Sequence, residues 1–303
     1  MSRRAYTTIG LLAAGAGTFT WGLGPVFVKL TSMPLLVLVL YRHLISFPIF
    51  VIAWLLTRDR AAKLPWRVAG VGGVLFAVHQ MSNFAALRHS TAAVVTIFFS
   101  LQPILVGVLG RRVTGERATR RFYVWAGVAV AGCAVLVLAS AEQPHASALG
   151  TVLAATNLFA WSAYYLATKR ARAQVGTVPW LLVMTIVSGT IIGFIALVTR
   201  APMGSVSGHD WIFLAALGIL PGAFGHLLVT WAHPQVHAAA SSVMVLAVPI
   251  VGTLGAAMFA HEPFSAWEAV GAAIAIAGAG VAMRHLPPPV TAEAAERFGE
   301  VAT

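Results

Sequence analysis

Residues 103–135 read PILVGVLGRRVTGERATRRFYVWAGVAVAGCAV, and residues 249–281 read PIVGTLGAAMFAHEPFSAWEAVGAAIAIAGAGV. At a constant offset of 146, Pro103 and Ile104 fall on Pro249 and Ile250, Glu116 on Glu262, and Gly132 on Gly278. The same offset pairs Gly72 with Gly218 and Ala92-Ala93 with Ala238-Ala239, while an offset of 140 carries Trp21 onto Trp161 and Lys29 onto Lys169. Alanine matches come cheaply in an apolar chain. Proline, glutamate, tryptophan and lysine do not, so the pattern is an internal duplication, the feature that most constrains architecture.

Composition says what was duplicated. Of 303 residues, 59% are hydrophobic and 10% charged, more apolar surface than a water-soluble fold can hide. A bilayer core takes about 20 apolar residues per helical crossing. Cutting the chain where polar and turn residues cluster leaves ten such pieces, near 7–29, 34–56, 68–88, 91–110, 122–140, 147–168, 178–199, 211–231, 236–258 and 265–284. Lipid offers no partner to a loose backbone, so each piece must be helical. The expected fold is an all-α integral membrane protein of ten transmembrane helices in two inverted five-helix repeats, residues 1–142 and 143–286, with a flexible tail over 287–303. Five is odd, so the second half enters the bilayer from the other side, which is the architecture of carriers whose central site faces each side in turn.

The formal charge of +11 raises the possibility of nucleic acid, but the basic residues are not gathered on a soluble face with aromatics between them. They sort by loop instead. With ten spans, 16 of the 20 lysines and arginines lie on one side, the exceptions being Lys29, Arg42, Arg88 and Arg200. This bias places both termini in the cytoplasm of a bacterial inner membrane. Arg3 and Arg4 ahead of an apolar run imitate a signal peptide, yet the run continues past Trp21 and Phe27 and reads as a retained first span. The lone cysteine, Cys133, excludes an internal disulfide and reads as a packing residue.

Polar groups inside spans are expensive and mark pathways. Span three carries His79, Gln80 and Asn83; His79 and Asn83, four apart, share a helix face. His226 and Thr230 repeat that spacing in span eight. The alternative for each histidine is a hydrogen bond that merely ties two helices. Asn157, Trp161, Tyr164, Tyr165 and Thr168 give span six one aromatic and polar face, matched by Thr18 and Trp21 in span one. Phe98, Phe99, Ser100 and Gln102 of span four are expected to line or gate the route. Pro103 and Pro249 sit at equivalent places as paired hinges, and Pro25, beside Gly22 and Gly24, is expected to break span one. Gly127, Ala131 and Gly132 in span five, and Gly271, Ala275, Gly278 and Gly280 in span ten, read as close-packing faces that brace the core, meet each other or form a homodimer. Lys29 and Lys169 are expected to snorkel to the membrane surface, Arg42 to be an interfacial or buried ion, and Glu116 and Glu262 to cap the turns that follow their spans. His233 and His237 make a poor metal pair, and no cofactor or metal is expected.

Trp21-Gly22 with Lys29, Ala85 to Arg88 leading into Ala92-Ala93, Gln102-Pro103, Gly115-Glu116 and Gly127 to Gly132 resemble the first EamA-type repeat of the drug/metabolite transporter superfamily. Trp161, Lys169, Ala238-Ala239, Pro249, Glu262 and Gly271 to Gly278 carry the second copy, in which His261-Glu262 replaces the usual Gly-Glu. The resemblance, strongest to bacterial exporters of amino acids including aromatic ones, implies a central cavity lined by spans one, three, four, six, eight and nine. No carboxylate lies deep in a span, which disfavours a proton pump and leaves neutral or zwitterionic solutes as the expected cargo, amino acids first. Drugs and organic cations are the alternative cargo. An intramembrane enzyme lacks paired carboxylates, a metal cluster or a Ser-His-acid set.

Overall fold

The structure, a computed structural model, describes residues 3–57, 64–140, 147–204 and 206–287. Among them there is no strand, and ten helices of membrane-crossing length follow one another. Spans one to five are Arg3–Lys29, Leu35–Leu56, Trp66–His89, a broken pair Ala92–Ser100 and Gln102–Val113, and Arg120–Ala139. Spans six and seven are Ala148–Ala171 and Thr177–Val198. Span eight is composite, Gly208–Leu217, Gly218–Gly225, His226–Ala232 and His233–Gln235; span nine is broken into Ala238–Met244 and Ala247–Phe259; span ten is Ala266–Arg284. Eight of the ten are apolar enough to cross a membrane on composition alone. The other two are spans three and six, whose polar residues turn toward each other. The protein is thus a multi-pass membrane protein. The acidic tail with Glu293, Glu296 and Glu300, and the loop cations Arg58, Arg60 and Lys63, lie outside the described residues.

Several span starts carry the side-chain caps that their sequence offers. Thr119, Ser147 and Ser207 each accept a backbone N–H three residues on, and Ser265 with Glu268 forms a capping box at span ten. Spans four and nine are interrupted within two residues of equivalent points, at Leu101 and at Val245-Leu246, so Pro103 and Pro249 fall in the first turn of the second piece, where a missing N–H costs nothing. Span one differs from expectation. It runs unbroken through Pro25 and packs there on span nine: Gly22 lies against Val251, and the Pro25 ring borders Gly252.

Span eight holds a π-helical stretch over Gly218–Gly225 centred on Pro221, which has no N–H to give. The Gly218 carbonyl accepts from Ser46 Oγ at 2.9 Å, tying span two to the irregular turn. Glycines let the neighbours close in: a Cβ at Gly218 would meet Ile45 at 2.6 Å, and one at Gly225 would meet Trp21 at 2.7 Å.

Helix pairing is reciprocal between the two parts of the chain. Span three packs on spans six and seven, as span eight packs on spans one and two; span one lies on span nine, as span six lies on span four. Spans two and seven pair with each other, and so do spans five and ten. The five-ten contact settles where the small-residue faces go. Gly132, Gly271 and Gly278 face the partner backbone, whereas nothing lies within 4 Å of a Cβ on Gly127 or Gly280, and Ala131 is exposed, so these three do not belong to the close-packing face. The replaced glycine at position 261 keeps its turn: His261 adopts φ 55°, the left-handed conformation that Gly115 adopts at φ 74°.

Candidate functional site

The residues expected to face a cavity converge near the middle of the bundle. Trp161 of span six is the hub. Its ring lies 4.6 Å from His79, 5.4 Å from Trp21, 5.9 Å from Phe99, 5.4 Å from Tyr164 and 6.0 Å from Tyr165. Five helices of both halves therefore meet around one aromatic surface once His226 is added, 5.0 Å from Trp21. The indole N–H groups of Trp21 and Trp161 are buried without a hydrogen-bond partner among the described residues, two donors available to a solute.

The polar chemistry is oriented by its neighbours. Asn157 Nδ2 donates to Asn83 Oδ1 at 3.1 Å, which turns its carbonyl oxygen toward His79 Nδ1 at 2.5 Å. His79 donates there, and in the neutral ring Nε2 is then left as an acceptor. Asn157 and His79 are both buried, at 0% and 9% exposure, and the spacing of four that linked His79 to Asn83 is the spacing that lets one asparagine bridge them. Gln80 is buried on the same helix, but no contact of the cluster runs through it among the described residues.

Three members of the cluster were not anticipated. Phe76 of span three touches His79, Tyr164 and His226, at 5.8, 5.1 and 5.1 Å. Arg42 of span two reaches His226 Nε2 at 3.2 Å, and His43 lies 5.9 Å from Phe76. With Ser46, Met184, Thr185, Gly222 and His226, these residues line a cavity of about 10 Å³, space for about one water. The signal for Arg42 and Ser46 was their spacing of four on the non-lipid face of span two. A larger hollow of about 510 Å³ lined by Arg120, Arg121, Val124, Trp125 and His285 opens on the outside of spans five and ten, away from this cluster.

Two ion pairs flank the centre, and they are equivalent in the repeat. Lys169 Nζ meets Glu116 Oε1 at 3.1 Å, with side-chain exposures of 8% and 1%. Lys169 also donates to the carbonyls of His233 and Val236, each at 2.5 Å, and Glu116 Oε2 accepts the Ala238 N–H at 2.7 Å. Lys169 therefore does not snorkel, and Glu116 caps the start of span nine rather than its own turn. Both results follow from partners more than fifty residues away in the chain. The counterpart pair, Lys29 with Glu262, joins the ends of spans one and nine as Lys169–Glu116 joins those of spans six and four, but is exposed, at 53% and 45%. His233 and His237 have separate duties. His233 packs its ring on Tyr165 at 4.6 Å, whereas burial holds the His237 imidazole below its ordinary range, and its Nδ1 accepts the Ala239 N–H at 3.2 Å.

The chain is 25% identical over 233 residues to a protein of Streptantibioticus cattleyicolor named "Probable terminal-alkyne amino-acid exporter", a match covering 73% of each chain. It shares its fold with a crystal structure described only as that of a protein, at a TM-score of 0.78 and 23% identity, covering 93% of this chain and 98% of the other. The model of the EamA-like transporter family matches residues 8–138 and again 148–284, so that nearly the whole span region is accounted for and the chain belongs to the EamA-like transporter family.

Proposed function

We propose that this transporter exports or facilitates the passage of amino acids, neutral or aromatic ones foremost, across a bacterial inner membrane, with both termini in the cytoplasm. The observation that carries the reading is the central cluster, in which Trp21, His79 and Phe99 meet Trp161, Tyr164 and His226 with donors and acceptors but no carboxylate among the described residues. Such a site suits a zwitterion: indole faces accept an ammonium group, and His79 Nε2 accepts one of its protons. Organic cations would call for a fixed negative charge there. The named exporter relative points the same way.

Transport proceeds by alternating access between two inverted repeats, 1–142 and 143–286, with the breaks before Pro103 and Pro249 as hinges. The reciprocal helix pairing supports this arrangement, as do the two matches to the family model. In it, Lys169–Glu116 closes the cytoplasmic side and Lys29–Glu262 the outer side, and the difference in their burial corresponds to a centre sealed more tightly from the cytoplasm. Cysteines placed at the exposed positions 117 and 263, one beside each glutamate, should react with an impermeant thiol reagent from opposite faces of the membrane; labelling of both from one face would end the inverted-repeat reading.

The functional test is flux. Protein reconstituted in liposomes should exchange labelled amino acids, and His79→Ala and Trp161→Ala should each lower the initial rate about tenfold or more, the equivalent of one buried hydrogen bond or ring contact. Wild-type rates in both variants would remove these residues from the site.

A further inference from the structure

Arg42 stands two turns inside span two, a charge at a depth where charges are rare unless paired. Its guanidinium has five donors and no acceptor, so in the 3.2 Å contact with His226 the imidazole Nε2 must be the acceptor, and the histidine is neutral. Among the described residues no carboxylate forms an ion pair with it. Glu116 and Glu262 are held by Lys169 and Lys29, Asp210 accepts from Ser32 Oγ and N–H, and Glu268 takes Ser140 Oγ and caps span ten. The side chain keeps part of its surface open, and it borders the small cavity with Ser46, Thr185 and His226. Phe76, which lines that cavity, also borders the aromatic centre, since its ring touches His226, His79 and Tyr164.

We propose that Arg42, with His226 beside it, is the subsite for the carboxylate of the transported solute. This rests on the reading that the central cluster binds the solute, and it names one end of it: a monocarboxylate whose other end lies toward Trp161 and His79. A guanidinium offers a planar fork that matches the two oxygens of a carboxylate, and in a closed, poorly solvated site such a bidentate pair is stronger than a neutral hydrogen bond. His226, accepting from one N–H, holds the fork in place while the remaining donors face the cavity. Neutral and aromatic amino acids meet the requirement, and so do their deaminated acids; amines and amides of the same shape do not.

Thermal unfolding of the purified full chain tests this without relying on transport, since a ligand of the folded form raises Tm. Phenylalanine, leucine and alanine are each compared with their amides, deaminated acids and decarboxylated amines, with chloride as an inorganic anion. The expected result is stabilisation by carboxylates at concentrations about tenfold or more below those needed for the amides. Arg42→Gln should erase the difference, and Arg42→Lys should retain part of it. Amides that stabilise wild type as well as acids do, chloride that acts as well as either, no stabilisation by any carboxylate, or an Arg42→Gln protein that still prefers acids would each overturn the subsite. Should Arg42→Gln fail to fold, the wild-type comparison of acid with amide decides. Stabilisation by the deaminated acids but not by the amino acids would uphold the subsite and sink the amino-acid reading instead.

Discussion

Lys169→Met should lower the unfolding free energy by about 3–5 kcal/mol, while Lys29→Met should change it by less than about 1 kcal/mol. The two lysines occupy equivalent places in the repeat and each pairs with the equivalent glutamate, so their chemistry is matched and only their surroundings differ. At the exposed pair water screens the attraction and takes over when one partner is removed. At the buried pair the remaining Glu116 carboxylate would keep just the Ala238 N–H and would face Lys169's other partners, the carbonyls of His233 and Val236, all three left without their cation. The double variant Lys169→Met/Glu116→Gln should recover much of the loss, because it leaves no lone charge behind. Denaturant unfolding in detergent reads all of this. Equal losses at Lys169 and Lys29 would mean that burial is not what distinguishes the pairs, and a double variant as unstable as Lys169→Met would remove the stranded carboxylate as the cause.

Most of the scaffold was legible because membranes leave a chain few options. Apolar length and turn residues marked all ten helices, eight of them apolar enough to cross a membrane, and the rare residues shared by the two copies exposed the duplication. The site was legible in part for a related reason: His79, Asn157 and Trp161 are out of place in lipid, and helical spacing put Asn83 with His79 and Tyr164 with Trp161. What could not be read was the partner of each charge. A lysine at a span end reads as surface-seeking, and only Glu116, drawn in from the other half, makes Lys169 an interior residue. Arg42 was ambiguous in the same way, since its neighbour His226 lies 184 residues on. Proline misled in both directions. Pro25 sits in a continuous helix supported by span nine, whereas Pro221, not singled out, marks the π-helical turn directly before His226.

The interface between spans five and ten yields the second large effect. Within a bilayer no hydrophobic force draws two helices together, so association depends on how closely their backbones approach. Here they approach as far as glycine allows. A Cβ on Gly278 would lie 2.7 Å from Ala129 N and 2.9 Å from its Cα; one on Gly132 would meet the Ala275 backbone, and one on Gly271 the Leu136 backbone. Backbone atoms cannot rotate aside as a side chain does, so even a methyl group must push the helices apart along the whole contact. Gly132→Ala should therefore lower Tm, and Gly132→Leu or Gly271→Leu should exceed the roughly 1–3 kcal/mol of ordinary overpacking and yield little folded protein. Gly127 and Gly280, one on each of the same two helices, provide the control. With nothing within 4 Å, alanine there meets no neighbour and gains about 0.5–1 kcal/mol of helix propensity, so Gly127→Ala and Gly280→Ala should leave Tm unchanged or raise it. Fluorescence size-exclusion profiles over a heating series compare all five variants. If Gly132→Ala survived heating as well as Gly127→Ala, the two spans would not owe their union to contact between backbones.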